Sequence, residues 1–133
     1  MFFHSYREAH QKLHIQGSYQ RGTIGSTVEG ITSLKLTENP KSYDRIQNDL
    51  DRIWYVGKGK KSSQGEPAES QTIQDQGPFF QSMETRNEFP VLMKLHNSLV
   101  VFLGFYQVIQ IRKKTTLKGF SYFQIELHRV RLP

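Results

Sequence analysis

Short apolar runs separated by polar turns predict more strand than helix in this chain. The most distinct run is Ile-Trp-Tyr-Val at residues 53–56, which is too short for a helix and rich in strand formers. We therefore expect a buried strand there, ended by Gly57 and Gly59. Four more strands are predicted at residues 31–36, 90–95, 99–111 and 120–127, with a bulge at Gly104.

Two short helices are predicted beside these strands. Residues 5–14 are rich in helix formers, and Ser5 stands three positions before Glu8, which is the spacing of a capping box. Residues 79–86 follow a Gly-Pro pair and place Phe79, Phe80 and Met83 at spacings of one helical face.

Three segments carry loop signals. Residues 17–30 contain four glycines and are predicted to be a loop, and residues 112–119 are predicted to be a basic turn. Residues 62–76 are the most polar stretch, with Ile73 as their one aliphatic side chain larger than alanine. We expect this last segment to be a long surface loop that is mobile until a ligand orders it.

The order of these elements predicts a mainly β (α+β) fold, a small curved sheet or open barrel with short flanking helices. Alternation of strand, helix and strand is missing, which argues against a doubly wound sheet. The 133 residues are enough for one domain with its own core, so residues 1–133 are expected to form a single domain.

Composition narrows the class of protein. Hydrophobic residues make up 36% and charged residues 23% of the chain, as in globular proteins. The chain has no cysteine, which excludes disulfides, thiolate metal sites and a cysteine nucleophile. No apolar run reaches the roughly 20 residues of a membrane span, and we expect a cytoplasmic protein, nucleoid-associated if it is prokaryotic.

The net charge points to a polyanionic partner. Eighteen Lys and Arg against 12 Asp and Glu give +6 at pH 7. Three lysines, Lys58, Lys60 and Lys61, lie between or just after the glycines that end the 53–56 strand. We call residues 57–61 the lysine loop. A tyrosine strand followed by a Gly/Lys loop can hold a flat polar ligand beside phosphates. The residue types alone are equally compatible with an alternative interpretation, a central strand followed by a solvated lysine turn.

Catalytic and metal-binding patterns find little support. His10 and His14 have the spacing of one helical face, but the run His-Gln-Lys-Leu-His lacks the glutamate of a zinc hydrolase, so surface or capping histidines are the simpler interpretation. The lysine loop lacks the glycine spacing of a phosphate-binding loop, and no nucleophile elbow or paired catalytic carboxylates are present. We expect no enzyme activity, no cofactor and no metal.

The order of short motifs resembles the SET and RING-finger associated domain, a PUA-like family that binds modified cytosine in DNA, in its prokaryotic or phage members. The resemblance runs through almost the whole chain after Leu13 and rests on the series of motifs. In chain order these are Gly17 with Gln20-Arg21, Ser33-Leu34, Tyr43-Asp44, Tyr55-Val56-Gly57, Asp75-Gln76, Pro90-Val91, Phe102-Leu103-Gly104-Phe105-Tyr106 and Gly119-Phe120.

The resemblance implies a base pocket. In the family a cytosine leaves the duplex and is stacked between two aromatic side chains, which match Tyr43 and Tyr55 here. Asp44 is the matching acidic residue that reads the cytosine edge, with Asp49 or Asp51 as substitutes. Val56 and Gly57 complete the predicted pocket.

The same resemblance implies double-stranded DNA with a modified cytosine as the partner. Arg21 is expected to probe the groove, and the phosphate contacts are expected from Lys58, Lys60, Lys61, Arg112, Lys113 and Lys114. Two alternatives remain: a PUA-like reader of RNA or modified RNA, and the recognition domain of a modification-dependent restriction nuclease whose catalytic part lies elsewhere.

Overall fold

The computed structural model describes residues 1–37, 45–46, 50–63 and 65–133, with residues 45–46 as backbone only. Eight strands of these residues join in one sheet of order β2-β3-β6-β7-β8-β5-β4, and β1 pairs with β7 beside this path. The predicted mainly β fold is confirmed. The strands are β1 (Phe2–Phe3), β2 (Thr23–Ser26), β3 (Gly30–Thr37), β4 (Arg45–Ile46), β5 (Arg52–Val56), β6 (Phe89–Lys94), β7 (Val100–Thr115) and β8 (Ser121–Arg131).

Helix α1 (Tyr6–Leu13) begins at the predicted cap. The Ser5 hydroxyl accepts a hydrogen bond from the Glu8 amide at 3.1 Å, while the Glu8 carboxylate accepts one from the His4 amide at 2.9 Å. His14 ends the helix in the left-handed conformation, so it is a capping histidine as predicted. His10 is instead buried, which corrects the surface interpretation, and burial together with the charge of Lys35 lowers its pKa.

Helix α2 (Gly77–Thr85) confirms the second predicted helix and covers the sheet. Pro78 lies in its first turn, where a missing amide hydrogen costs nothing. The helix packs against β3 and β7 with Phe79 buried beneath it. The Ser82 hydroxyl accepts a hydrogen bond from the Ile31 amide at 2.7 Å, which fixes the helix to the start of β3.

Two apolar clusters lie on opposite sides of the sheet around β6. Val91 belongs to the larger cluster, which contains Tyr55, Phe79 and Tyr106, and Leu92 belongs to the smaller one beneath α1. The register between β6 and β7 shifts between Val91 and Leu92, because they pair with Gly104 and Phe102 and leave Leu103 as an extra residue. The predicted bulge at Gly104 is confirmed, with a φ of 116° that favours glycine.

Two loop predictions are wrong, each for a physical reason. Residues 17–30 contain β2, which pairs with β3. Gly25 lies so close to the Gly30 carbonyl that a side chain would collide with it, so this glycine allows the two strands to approach and does not mark a turn. Residues 112–119 are not all turn, since β7 continues to Thr115 and pairs Lys113 with Phe123 and Lys114 with Tyr122. The basic side chains there lie on the end of a long strand.

Strand pairing orders the faces of β5. Tyr55 pairs with Ile125 and Trp54 with Glu126, so the two aromatic side chains point to opposite faces of the sheet. Tyr55 joins the larger apolar cluster, and Trp54 is partly exposed beside Arg52, whose guanidinium carbon lies 5.8 Å from the indole centroid. Beyond Val56, the chain leaves β5 opposite Gln124 and enters the lysine loop.

Candidate nucleic-acid interface

Tyr55 lies at the inner edge of the candidate interface. Its side chain is 7% exposed, and its ring centroid is 5.9 Å from that of Phe79 at a tilt of 42°. Its hydroxyl forms a 3.2 Å hydrogen bond with the Thr23 hydroxyl at the start of β2. The ring orientation is therefore fixed at both ends, by Phe79 beneath it and by Thr23 at its tip.

Lys61 brings a positive charge to the same tyrosine. Its ammonium lies 5.4 Å from the Tyr55 ring centroid and donates a hydrogen bond to the Val56 carbonyl at 3.2 Å. An ammonium at this distance is attracted to the electron-rich ring face. A flat ligand that stacks on this face of Tyr55 would have to displace the Lys61 ammonium.

A buried glutamine, Gln76, holds the lysine loop from behind. Its side-chain oxygen accepts a hydrogen bond from the Lys58 amide at 2.8 Å, and its side-chain nitrogen donates to the Lys58 carbonyl at 2.7 Å. The same nitrogen donates to the Thr72 carbonyl at 3.2 Å. Both peptide groups of Lys58 are thus satisfied by one side chain, as buried polar groups require.

A second buried glutamine, Gln71, links this loop to β8. Its side-chain nitrogen donates to the Gly57 carbonyl at 2.8 Å, and its side-chain oxygen accepts from the Phe123 amide at 3.0 Å. A Cβ atom on Gly57 would lie 2.6 Å from Oε1 of Gln76 and 2.9 Å from Oε1 of Gln71. A side chain at position 57 would therefore have to displace one or both of these amides from their hydrogen bonds.

Most described side chains of residues 62–76 are exposed, as predicted for a surface loop, but Pro67, Gln71 and Gln76 are buried and the backbone is hydrogen-bonded locally. Mobility of this segment without a ligand stays a prediction. Lys61 pairs with Pro67, the Ser62 amide donates to the Glu66 carbonyl at 2.8 Å, and the Ala68 amide donates to the Lys60 carbonyl at 2.9 Å. The described part of this segment is therefore a small hairpin followed by two buried glutamines. Its polarity reflects amide side chains that bond backbone groups, and not solvent exposure alone.

The predicted phosphate contacts fall in two places. Lys58 and Lys60 are exposed on the lysine loop. Lys113 and Lys114 are exposed on the end of β7, and Arg112 forms a 3.0 Å ion pair with Glu126 of β8. The two places are neighbours, because Arg112 and Val56 both pair with Gln124 from either side of β8.

Arg21 lies on an exposed loop that touches the Tyr55 hydroxyl. Its carbonyl accepts a 2.8 Å hydrogen bond from the ammonium of Lys35, which is buried against the Tyr6 ring. Burial lowers the pKa of Lys35 to about 8. Gly22, the next residue, is placed so that a side chain there would approach the Tyr55 hydroxyl at 3.9 Å.

Tyr43, Asp44 and Asp49, which the sequence assigns to the pocket, lie outside the described residues. Asp51 forms an ion pair with Arg129 at 2.8 Å and precedes the start of β5, whereas the lysine loop follows its end. A strand of this length separates Asp51 from Gly57 by roughly 15–20 Å.

Sequence reasoning missed Gln71 and Thr23 as site residues and named Gln76 only as part of a motif. No local pattern separates Gln71 from the other glutamines of residues 62–76, because its role depends on pairing with β8. Among the described residues, no group of three or more His, Asp or Glu side chains could hold a metal ion. Neither described helix is long and apolar enough to cross a membrane.

The SAD/SRA domain family model matches residues 2–132. No curated protein matches the chain in sequence. Similar solved structures include the SUVH5 SRA domain in a hemimethylated CG DNA complex, with a TM-score of 0.77 and 21% identity over 98% of this chain and 87% of that chain. The SUVH5 SRA domain bound to fully hydroxymethylated CG DNA gives 0.74 and 22% over 97% and 89%.

A third similar structure is KRYPTONITE in complex with mCHG DNA and SAH. It gives a TM-score of 0.78 and 15% identity over 100% of this chain and 32% of that chain. This chain therefore spans about a third of KRYPTONITE, in contrast to nearly all of the SUVH5 SRA domain. At these identities the likeness shows a shared fold.

Proposed function

The chain belongs to the SAD/SRA domain family, and we propose that it binds duplex DNA and receives a flipped, modified cytosine in a pocket beside Tyr55. The observation that carries this proposal is the fixed Tyr55 ring next to a lysine loop whose backbone is held by two buried glutamines. Complexes of similar structures with methylated and hydroxymethylated DNA support it.

Tyr55 serves as one wall of the pocket. A base that stacks on an aromatic side chain gains roughly 1–3 kcal/mol, which helps to offset the few kcal/mol of unpairing. The hydrogen bond to Thr23 and the contact with Phe79 fix the ring before DNA arrives, so little conformational entropy is lost on binding. Tyr43 supplies the opposite wall, and Asp44 accepts hydrogen bonds from the cytosine edge.

Lys61 links base entry to the DNA backbone. Its ammonium leaves the Tyr55 ring when the base stacks there, and the nearest anions are then the phosphates of the flipped nucleotide. Val56 and Gly57 line the pocket rim with fixed peptide groups. Lys58 and Lys60 contact the adjacent backbone, and Arg21 reaches the groove from the loop before β2.

We propose a reader that recognises the base and leaves it chemically unchanged, formed by residues 1–133 as one domain. The described residues around Tyr55 are aromatic, hydroxyl, amide and lysine side chains, which bind a base edge and phosphates. They supply no paired acid and base of the kind that hydrolysis requires.

The test is a comparison of four nucleic acids of one sequence at one salt concentration. Duplex DNA with cytosine, 5-methylcytosine or 5-hydroxymethylcytosine at one position is compared with the corresponding RNA. We expect one of the modified DNA duplexes to bind at least several-fold more tightly than plain DNA. Fluorescence of 2-aminopurine next to the modified base should rise on binding, because flipping removes a stacking neighbour.

Equal affinity for modified and plain DNA, with unchanged 2-aminopurine fluorescence, would overturn the proposal. Tighter binding of RNA than of every DNA duplex would assign the basic loops to an RNA reader instead.

A further inference from the structure

The turn between β7 and β8 presents a fully exposed leucine, Leu117, among basic side chains. Residues 112–119 hold four cationic side chains, Arg112, Lys113, Lys114 and Lys118, and no acidic one. A single exposed leucine is common on protein surfaces, so exposure alone indicates nothing. The hydrogen bonds that fix the turn, and the position of the turn beside the lysine loop, indicate a function for this leucine.

The backbone of the turn is fixed by Thr116, which is buried. The Thr116 amide donates to the Phe120 carbonyl at 2.8 Å, and the Thr116 hydroxyl accepts from the Phe120 amide at 3.1 Å. The Gly119 amide donates to the Thr116 carbonyl at 3.0 Å, with a glycine φ of 90°. Leu117 is therefore held out by a closed turn at the tip of two long paired strands.

The tip lies at the end of the sheet that carries the lysine loop. Gln71 joins the two, since its amide donates to the Ser121 carbonyl at 2.8 Å and its side chain donates to the Gly57 carbonyl at 2.8 Å. Val56 pairs with Gln124, and β8 begins at Ser121, so the hairpin extends roughly 10 Å beyond the end of β5.

Resting on the proposed function, we propose that Leu117 is an apolar wedge that contacts the bases of the same duplex about three to five base pairs from the flipped cytosine. The separation follows from roughly 10 Å or more of projection and about 3.4 Å of duplex per base pair. A two-stranded ribbon fits into a DNA groove, and leucine is among the side chains that proteins insert at base steps. Lys114 and Lys118 bind the phosphates on either side.

The charge of the tip favours DNA over other partners of an exposed leucine. An apolar protein surface would gain nothing from the cationic side chains on both flanks, whereas phosphates lie on both sides of a groove. Leu117 contacts base edges and carries no charge, so it adds affinity without adding to the salt dependence.

The test uses Leu117→Ala in the full chain with two duplexes that carry the same 5-methylcytosine. The long duplex extends about eight base pairs on both sides of that base. The short one extends about two and is closed at both ends by nucleotide loops that keep it double-stranded, so that only the long duplex reaches the tip. We expect Leu117→Ala to lose about tenfold in affinity for the long duplex, the change expected when roughly half of a leucine side chain leaves water on binding. Affinity for the short duplex should be unchanged.

Two control variants make the result specific. Val28→Ala changes an exposed apolar side chain on the β2–β3 turn and should bind both duplexes as the wild type does. Lys118→Ala should reduce the slope of log affinity against log salt by about 0.9, while Leu117→Ala leaves the slope unchanged. The Leu117→Ala loss should be the same on modified and plain long duplexes, because the tip does not touch the flipped base.

Wild-type affinity of Leu117→Ala for the long duplex, or an equal loss on both lengths, would overturn the wedge. If the wild type still prefers modified DNA in that case, the proposed function stands without it. If the wild type shows no such preference but the length-dependent loss persists on plain duplexes, the proposed function fails, and what remains is a contact of Leu117 with duplex DNA that needs no flipped base.

Discussion

The lysine loop at residues 57–61 and the basic end of the β7–β8 hairpin carry similar charge but are supported in different ways. In the loop, side-chain amides of Gln71 and Gln76 bond the peptide groups of Gly57 and Lys58 from behind. In the hairpin, ordinary strand pairing holds the backbone as far as Thr115. A backbone fixed by buried side chains can present one defined shape to a base, whereas a basic strand end presents charge to any phosphate.

Charge and shape therefore have separate structural origins in these two regions. Removing a lysine changes the electrostatic attraction in either region, because both are solvent-exposed. Removing Gln76 changes the support of the loop, because its side chain bonds Lys58 and Thr72, whereas Gln71 also bonds Phe123 of β8. Variants that remove the supporting side chain and keep every charge can therefore separate the two contributions.

The largest effect is expected from Gln76→Ala. This change removes a fully buried side chain and leaves the part-buried Lys58 amide and carbonyl and Thr72 carbonyl without this partner. We expect the free energy of unfolding to fall by about 2–4 kcal/mol, since unsatisfied polar groups and a cavity both contribute. Chemical denaturation measures the loss, and modified-DNA discrimination should fall with it.

Gln74→Ala is the matched control for this variant, because Gln74 is exposed and lies in the same 3-10 turn, Gln74–Gln76. It should change stability by less than about 0.5 kcal/mol. A Gln76→Ala protein as stable as Gln74→Ala would show that the amide does not support the loop.

The second largest effect is expected on DNA affinity, in a comparison of Tyr55→Ala with Trp54→Ala. The two variants remove aromatic side chains from opposite faces of β5. Tyr55→Ala should lose roughly 1–3 kcal/mol of binding to modified DNA and less to plain DNA, because stacking acts on the flipped base. Trp54→Ala should affect both alike. Affinities for modified and plain duplexes, measured on folded protein, give the two differences.

Folding must be checked first, because Tyr55 packs in the core and its removal also destabilises the domain by several kcal/mol. Tyr55→Phe keeps the ring and removes the hydroxyl that bonds Thr23, so it separates stacking from folding. A folded Tyr55→Ala protein that discriminates fully would remove Tyr55 from the pocket.

Strand pattern and helix caps were readable in the sequence because they depend on neighbouring residues. The 53–56 strand, the Ser5 cap and the Gly104 bulge are examples, and each is confirmed. Segments whose structure depends on distant partners were misread. β2 exists because β3 lies beside it, and the end of β7 continues because β8 pairs with it.

The candidate site shows the same division. The order of motifs led to the family, and the family match confirms it. The bracing of the loop was invisible, because Gln71 reaches Gly57 and Phe123 only after β5 and β8 have paired. A polar side chain that is buried together with its hydrogen-bond partners produces no periodic pattern in the sequence from which its burial could be predicted.

A smaller effect should come from single lysines in the two regions. Lys60→Ala on the loop and Lys114→Ala on the hairpin should each reduce the magnitude of the salt slope by about 0.9, equally for modified and plain DNA. With about four phosphate contacts, the wild-type slope should be roughly −3.6. A slope near zero would exclude DNA phosphates as partners of either region.

The smallest effect is expected from Glu126→Gln, which tests the ion pair between Arg112 of β7 and Glu126 of β8. Burial acts to raise the pKa of Glu126, but hydrogen bonds from His128 at 2.7 Å and from Arg112 at 3.0 Å, together with their charges, outweigh it and lower that pKa below 4.5. The pKa of Glu126 is lower in the folded protein than in the unfolded chain. The ion pair therefore stabilises the fold at a pH above the unfolded-state pKa, and this stabilisation is lost as the pH falls through the folded-state pKa. The wild type should therefore lose its advantage over Glu126→Gln below about pH 4.5, by no more than about 1 kcal/mol since Arg112 is partly exposed. Unfolding free energies at pH 7 and at pH 3 measure this difference, and an advantage that persists unchanged at pH 3 would show that the carboxylate charge does not support β7 against β8.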